Sequence, residues 1–183
     1  MKKIKEYKSV MNDKVGIRIN GNESYKNIEK NELDEIIKEI KKINFNRYPD
    51  DESLNLRKAY AEVVGIGEEN VIAGNGSDEM ISLIINYQIT KKKVVLTINP
   101  DFSMYDFYTS LNEGVVKKYN TENDGSFSVD RFIEYGRRVN PNLIIFSNPN
   151  NPTGVLTKSK DIKEILLKAW ETNTVIVVDE SFL

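Results

Sequence analysis

Four segments of this chain carry residue types that could do chemistry. Asp179 follows the apolar run Val175-Ile176-Val177-Val178, so its carboxylate is partly desolvated and wants a cationic or N–H partner. Ala73-Gly74-Asn75-Gly76-Ser77-Asp78-Glu79 stands between an apolar run and a helical pattern. Its two glycines let the backbone turn tightly and approach a ligand. A helix beginning at Ser77 would direct free N–H groups and a partial positive charge outward, which suits a phosphate. The segment matches neither a P-loop nor G-x-G-x-x-G, and a glycine turn with a serine cap is the plain alternative. Ser147-Asn148-Pro149-Asn150-Asn151-Pro152-Thr153-Gly154 is the most specific motif. Each proline drives the residue before it into an extended conformation, and Gly154 permits positive φ. That holds Asn151 in a non-helical pose with its amide free to donate; either isomer of the Asn-Pro bonds is compatible with such a turn. In Asn99-Pro100-Asp101-Phe102-Ser103-Met104-Tyr105, an aromatic ring after a strand could stack on a planar ligand. Phe102, Tyr105 and Tyr108 at helical spacing read equally as core.

Composition narrows what these segments can be doing. The 183 residues include no cysteine and no histidine, which removes disulfides, thiolate metal sites and Ser-His-Asp triads. No metal site is expected. With 26 basic and 28 acidic residues and a net charge of −2, there is no electrostatic footprint for nucleic acid or an anionic membrane. The basic start, Met1-Lys2-Lys3-Ile4-Lys5, is followed by no apolar signal region, and the longest apolar runs are strand-length. The expectation is a cytoplasmic protein whose chemistry uses carboxylates, amides, hydroxyls, lysine or a borrowed cofactor.

The elements that must position these residues follow from periodicity. Leu33, Ile36, Ile37, Ile40 and Ile43 predict a helix over about 32–42 capped by Asn31, and Leu54 to Val64 a second helix ended by Gly65. From residue 71, short apolar runs at Val71–Ala73, Val94–Ile98, Val115–Tyr119, Leu143–Phe146 and Val175–Val178 alternate with helical patterns. The helices are predicted at about 78–89, 102–112, 129–139 and 159–171, with caps at Ser77, Ser128 and Ser159. Such alternation predicts β-α-β units and an α/β three-layer sandwich, with a mainly parallel sheet between helices. Ligands of open parallel sheets bind beyond the carboxyl ends of the strands, where the unusual residues here fall. The end of the chain, directly after an apolar strand, reads as the N-terminal part of a longer protein.

In order and spacing, the four segments together resemble the fold-type I pyridoxal-phosphate (PLP) enzymes, and most of all the histidinol-phosphate aminotransferases and their relatives. The resemblance runs from about Ile17 to the last residue. Arg47-Tyr48-Pro49-Asp50 matches an R-Y-P element of the family, and Ile19-Asn20-Gly21-Asn22-Glu23 is similar to its L-N-x-N-E segment near the substrate. The resemblance implies an aspartate aminotransferase-like large domain, incomplete here. Residues 1–46 would be an N-terminal arm and first helix, and 47–183 the first part of the PLP-binding domain. It further implies that Ser77 and Asp78 hold the cofactor phosphate, joined by Tyr48 from a partner subunit. Phe102 would stack on the pyridine ring, Asn151 would donate to the phenolic oxygen, Asp179 would pair with the ring nitrogen, and Asn22 would meet the substrate.

Two features depart from the family's pattern. Relatives usually read D-E-A-Y where this chain has Asp179-Glu180-Ser181-Phe182, and Phe182 brings no hydroxyl to the phenolic oxygen. D-E-A-F occurs in the related threonine-phosphate decarboxylases. The family's Schiff-base lysine sits in an S-K-x-x-G-type motif downstream of the D-E segment, whereas Lys91–Lys93 precede a strand and read as solvated. The implied activity is transamination between histidinol phosphate and 2-oxoglutarate in histidine biosynthesis by a homodimer, with this chain inactive alone. The alternatives are a threonine-phosphate decarboxylase-like enzyme, a Rossmann-like nucleotide-binding module, and a non-catalytic interaction protein that kept the fold. The Rossmann reading wants an acidic residue at the end of the next strand; here that strand ends Ile98-Asn99-Pro100, with Asp101 close by.

Overall fold

The structure, a computed structural model, describes Gly21 and residues 23–182. Asn22 and the Ile19-Asn20 pair lie outside the described residues. The described chain falls into two compact units, one ending at Ala73 and the other running from Gly74.

The first unit holds α1 (Lys30–Ile40), α2 (Leu54–Val64) and a single 3-10 turn (Glu68–Asn70). α1 starts earlier than its expected cap. Glu29 takes the extended cap conformation and its carbonyl already accepts from Leu33 N–H (2.9 Å), so Asn31 lies inside the first turn. The start of α2 is held by Asp50, whose carboxylate accepts from Leu54 N–H (2.8 Å) and Glu52 N–H (3.1 Å). Gly65 ends it in the left-handed conformation, as expected. Arg57 donates to the carbonyl of Glu68 (2.8 Å), tying α2 to the 3-10 turn. The strand expected at Val71–Ala73 does not form. Val71 has extended dihedrals (φ −116°, ψ 132°), but extended backbone becomes a strand only against a partner edge.

In the second unit, α3 (Gly76–Gln88), β1 (Val94–Asn99), α4 (Met104–Leu111), β2 (Val115–Asn120), α5 (Val129–Val139), β3 (Leu143–Ser147), α6 (Ser159–Glu171) and β4 (Val175–Asp179) follow in order. The four strands are parallel in the order β2-β1-β3-β4. Alternate strand residues face opposite layers. Val95, Leu143 and Ile145 pack with Ile81, Ile85 and Ile89 from α3 and its end, and with Tyr105 of α4. Leu96, Ile98, Ile144 and Phe146 pack on the other side with Phe132 of α5 and Ile165 and Ala169 of α6. This is the expected three-layer α/β/α sandwich. Ser128 caps α5 by accepting from Arg131 N–H (3.4 Å). Strand order reverses between β1 and β3, and at such a switch point the loops leaving two neighbouring strands diverge and open a crevice.

α3 runs against the strands. Its last residue, Gln88, accepts at its carbonyl from Lys93 Nζ (3.1 Å) just before β1, and Ile89 packs beside Gly114 just before β2. A helix of 13 residues is about 20 Å long at ~1.5 Å per residue, so its first turn points toward the carboxyl ends of the strands.

Candidate functional site at the carboxyl ends of the strands

α3 opens at Gly76, one residue before the expected cap, with Asn75 preceding it. Gly76 adopts φ +80° with open space where a Cβ would be. Ser77 and Asp78 therefore occupy the first turn and are exposed. First-turn N–H groups have no intrahelical acceptor. Glu79 reaches back to the Asn75 N–H (2.6 Å), which leaves the outward-facing amides of Ser77 and Asp78 for an external acceptor.

Asp179 ends β4 and is buried. Its Oδ2 accepts from the Tyr105 hydroxyl (2.7 Å), and its Oδ1 accepts from Ser181 N–H (3.1 Å) and from the Ser181 hydroxyl. Tyr105 is also fully buried, and its phenol is held far above its usual range by burial and then by the neighbouring carboxylates Asp101 and Asp179. Tyr105, which reads in the sequence as core, is thus both core and a hydrogen-bond donor to Asp179.

β3 ends beside β4 in register, Ser147 opposite Asp179, and Asn148 N–H donates to the Asp179 carbonyl (2.8 Å). The loop that follows is pinned by its own side chains. Asn148 Oδ1 accepts from Thr157 N–H (2.7 Å). The buried Asn150 accepts from the Thr153 hydroxyl (2.6 Å) and donates to the Pro100 carbonyl (3.2 Å) in the loop after β1. Gly154 has φ +72°, and the three Asn-Pro bonds at 99–100, 148–149 and 151–152 are cis. Asn151 donates its backbone N–H to Ser147 Oγ (2.8 Å), and its side-chain amide has no hydrogen-bond partner among the described residues.

Asp101, which the sequence offered only as a near miss for a nucleotide-binding acid, sits between these loops. Its carboxylate accepts from Ser147 Oγ and from the N–H groups of Ser147 (3.3 Å) and Phe102 (2.8 Å), and from Thr97 Oγ1 (3.2 Å). Burial pushes its pKa up to about 6, against the opposing pull of those hydrogen bonds. Phe102 is half-buried and meets Tyr105 edge to face (5.7 Å between centroids). Among the described residues, no hydrogen-bond partner of Asp101 or Asp179 is a cation. Asp179, bonded to the Tyr105 phenol, and Asp101, bonded to the Ser147 hydroxyl, form an electronegative pole with no fixed counter-charge among the described residues.

The structure thus links Phe102, Asn151 and Asp179 through hydrogen bonds and places the Ser77 turn toward the same rim. Tyr48 belongs to the first unit and is fully exposed there; Asn22 lies outside the described residues. A cavity of about 100 Å³ between α5 and α6, bordered by Pro141 and Thr174, opens at the opposite, amino ends of the strands and contains none of these residues. No helix among the described residues is long and apolar enough to cross a membrane.

Residues 14–182 match the family described as "Aminotransferase class I and II". The whole chain is 38% identical over 184 aligned positions to the histidinol-phosphate aminotransferase of Clostridium novyi, covering 51% of that protein. Among solved structures, histidinol-phosphate aminotransferase from Sinorhizobium meliloti, in complex with pyridoxal-5'-phosphate, superposes with a TM-score of 0.73 at 22% identity. That match covers 81% of this chain and 39% of the other. A decarboxylase from Sulfurospirillum multivorans superposes with a TM-score of 0.67 at 25% identity, over 80% and 37% of the two chains. The chain spans about half the length of the curated relatives it matches. On this match and this site, the chain belongs to the class I and II aminotransferase family.

Proposed function

We propose that this chain is the N-terminal half of a PLP-dependent aminotransferase, one that exchanges an amino group between histidinol phosphate and 2-oxoglutarate as a cytoplasmic homodimer. The observation that carries the reading is Asp179: a buried carboxylate at the end of β4, oriented by Tyr105 and Ser181 and lacking a cationic partner among the described residues. Such a group fits a protonated pyridine nitrogen, and the chain's other donors fit the remaining poles of the same cofactor.

The first-turn amides of Ser77 and Asp78 receive the phosphate, whose charge complements the helix N-terminus. Phe102 stacks on one face of the ring. Asn151, its amide otherwise unused, donates to the phenolic oxygen; with Phe182 in place of a tyrosine, it does so without help from that position. Asp179 keeps a proton on the ring nitrogen by favouring the cationic form. When bound, PLP supplies an electron sink that makes the substrate's amino-bearing carbon acidic. Tyr48 of a second subunit adds its hydroxyl to the phosphate, and Asn22 contacts the substrate. The lysine that moves the proton belongs to the half that the relatives have and this chain does not.

The test uses the full-length protein. It should show a visible cofactor band that borohydride fixes onto a lysine, and form glutamate from histidinol phosphate and 2-oxoglutarate. Release of CO2 from a phosphorylated amino acid, without glutamate formation, would replace this substrate assignment by the decarboxylase reading. A protein that stays colourless with added PLP overturns the cofactor assignment.

A further inference from the structure

Asp101 is a half-buried carboxylate that none of the proposed cofactor contacts uses. Taking a carboxylate out of water away from any cation is costly unless hydrogen bonds replace its lost hydration. Here they run in two directions. One oxygen accepts from the N–H of Phe102, at the start of the loop after β1. The same carboxylate accepts from the hydroxyl and the N–H of Ser147, at the end of β3. Ser147 Oγ, its proton committed to Asp101, turns its lone pairs to the Asn151 N–H (2.8 Å) and the Asn150 side-chain amide (3.3 Å). Asn150 in turn grips the Pro100 carbonyl. The loops after β1 and β3 diverge at the sheet's switch point, so nothing in the strand ladder fixes one against the other. β1 and β3 pair at Val95↔Leu143 and Leu96↔Ile144, well short of their carboxyl ends.

We propose that Asp101 is a positioning residue. Through Ser147 it sets the spacing and tilt between the Phe102 ring and the Asn151 amide, and so the plane in which the cofactor ring lies. A carboxylate suits this task because it accepts from several donors at once, whereas an amide accepts through one oxygen only. The proposal rests on the cofactor reading above.

The experiment compares full-length wild type with Asp101→Asn and Ser147→Ala, each prepared without cofactor and titrated with PLP. Three quantities are read: the dissociation constant, the induced circular dichroism of the bound cofactor, which follows ring orientation, and the Tm of the cofactor-free protein. Asp101→Asn and Ser147→Ala should each weaken PLP binding roughly tenfold, the scale of one or two charge-assisted hydrogen bonds. Both should alter the induced band while the Tm does not fall. The double variant should lose little more than either single one, because both cut the same link. Wild-type affinity and an unchanged band in both variants overturn the proposal, as does a loss of affinity that only tracks a fall in Tm. If Asp101→Asn fails to fold, Ser147→Ala alone decides between these outcomes. A wild type that binds no PLP overturns the cofactor reading and this proposal with it, whereas variants matching a wild type that binds it overturn the proposal alone.

Discussion

Asp101 and Asp179 are both acids at strand ends, yet their surroundings set them different tasks. Asp179 is oriented by a phenol and a serine, and in the proposed site its charge would face the ring nitrogen of the cofactor. Asp179→Asn should keep the cofactor bound but cut turnover at least about a hundredfold, the scale of losing one preorganised electrostatic contact; wild-type turnover would remove it from the site. Asp101 carries a signature in the stability of the cofactor-free protein. Its folded pKa of about 6 lies above the carboxyl's ordinary 3.8, so the folded state binds the proton more tightly. The stabilising contribution is complete below pH ~4 and is lost as pH rises through about 6, a swing of about 3 kcal/mol at ~1.4 kcal/mol per pKa step. Urea unfolding at pH 4.5 and 7 should show about 2 kcal/mol of that swing in wild type and its absence in Asp101→Asn. The sequence exposed Asp179 because an acid after four apolar residues is anomalous on its own. It hid Asp101 because the meaning of that residue comes from Ser147, 46 positions away. Tyr105 read as core from its helical spacing, and it is core; what spacing does not encode is the carboxylate its hydroxyl reaches.

Among the elements, α5 was legible because its apolar stripe begins at a real side-chain cap, Ser128, and ends at Asn140 in the left-handed conformation. The predicted starts of α1 and α3 slipped by one or two residues because Glu29 and Asn75 hold the cap positions without a side-chain hydrogen bond that composition could signal. Val71–Ala73 failed as a strand for a different reason: three apolar residues specify extension, but pairing needs a second chain segment that local sequence does not name. Gly114, on the approach to β2, is a point where packing is intolerant. A Cβ there would stand 2.6 Å from Ile89 Cγ2 and 2.8 Å from Thr109 Cγ2. Gly114→Ala should therefore cost ~1–3 kcal/mol of stability in chemical denaturation. Its neighbour offers the reverse. The buried hydroxyl of Thr109 has no hydrogen-bond partner among the described residues, so Thr109→Val should raise stability by about 1 kcal/mol and shift the denaturation midpoint upward.

At the scale of the whole molecule, Tyr48 tests the assembly. Its side chain is fully exposed in its own unit, and the proposed role requires a second subunit to place its hydroxyl on the phosphate. Tyr48→Phe should raise the PLP dissociation constant by up to about tenfold in the dimer, the worth of one hydrogen bond to a charged group. On dilution to monomers, wild type and variant should converge; a Tyr48→Phe protein with wild-type affinity as a dimer excludes the cross-subunit contact.

The reversal of strand order between β1 and β3 has a consequence for how this molecule comes into being. Val94 and Asn142, which zip the middle of the sheet together, are 48 positions apart, with α4, β2 and α5 threaded between them. During synthesis β1 therefore emerges from the ribosome with only its outer neighbour on the way. Its inner edge stays unpaired until several dozen further residues have been added, which at ~5–20 residues per second takes seconds. In that interval a nascent chain is vulnerable to wrong partners, and shielding of this edge by a chaperone would do most of its good there.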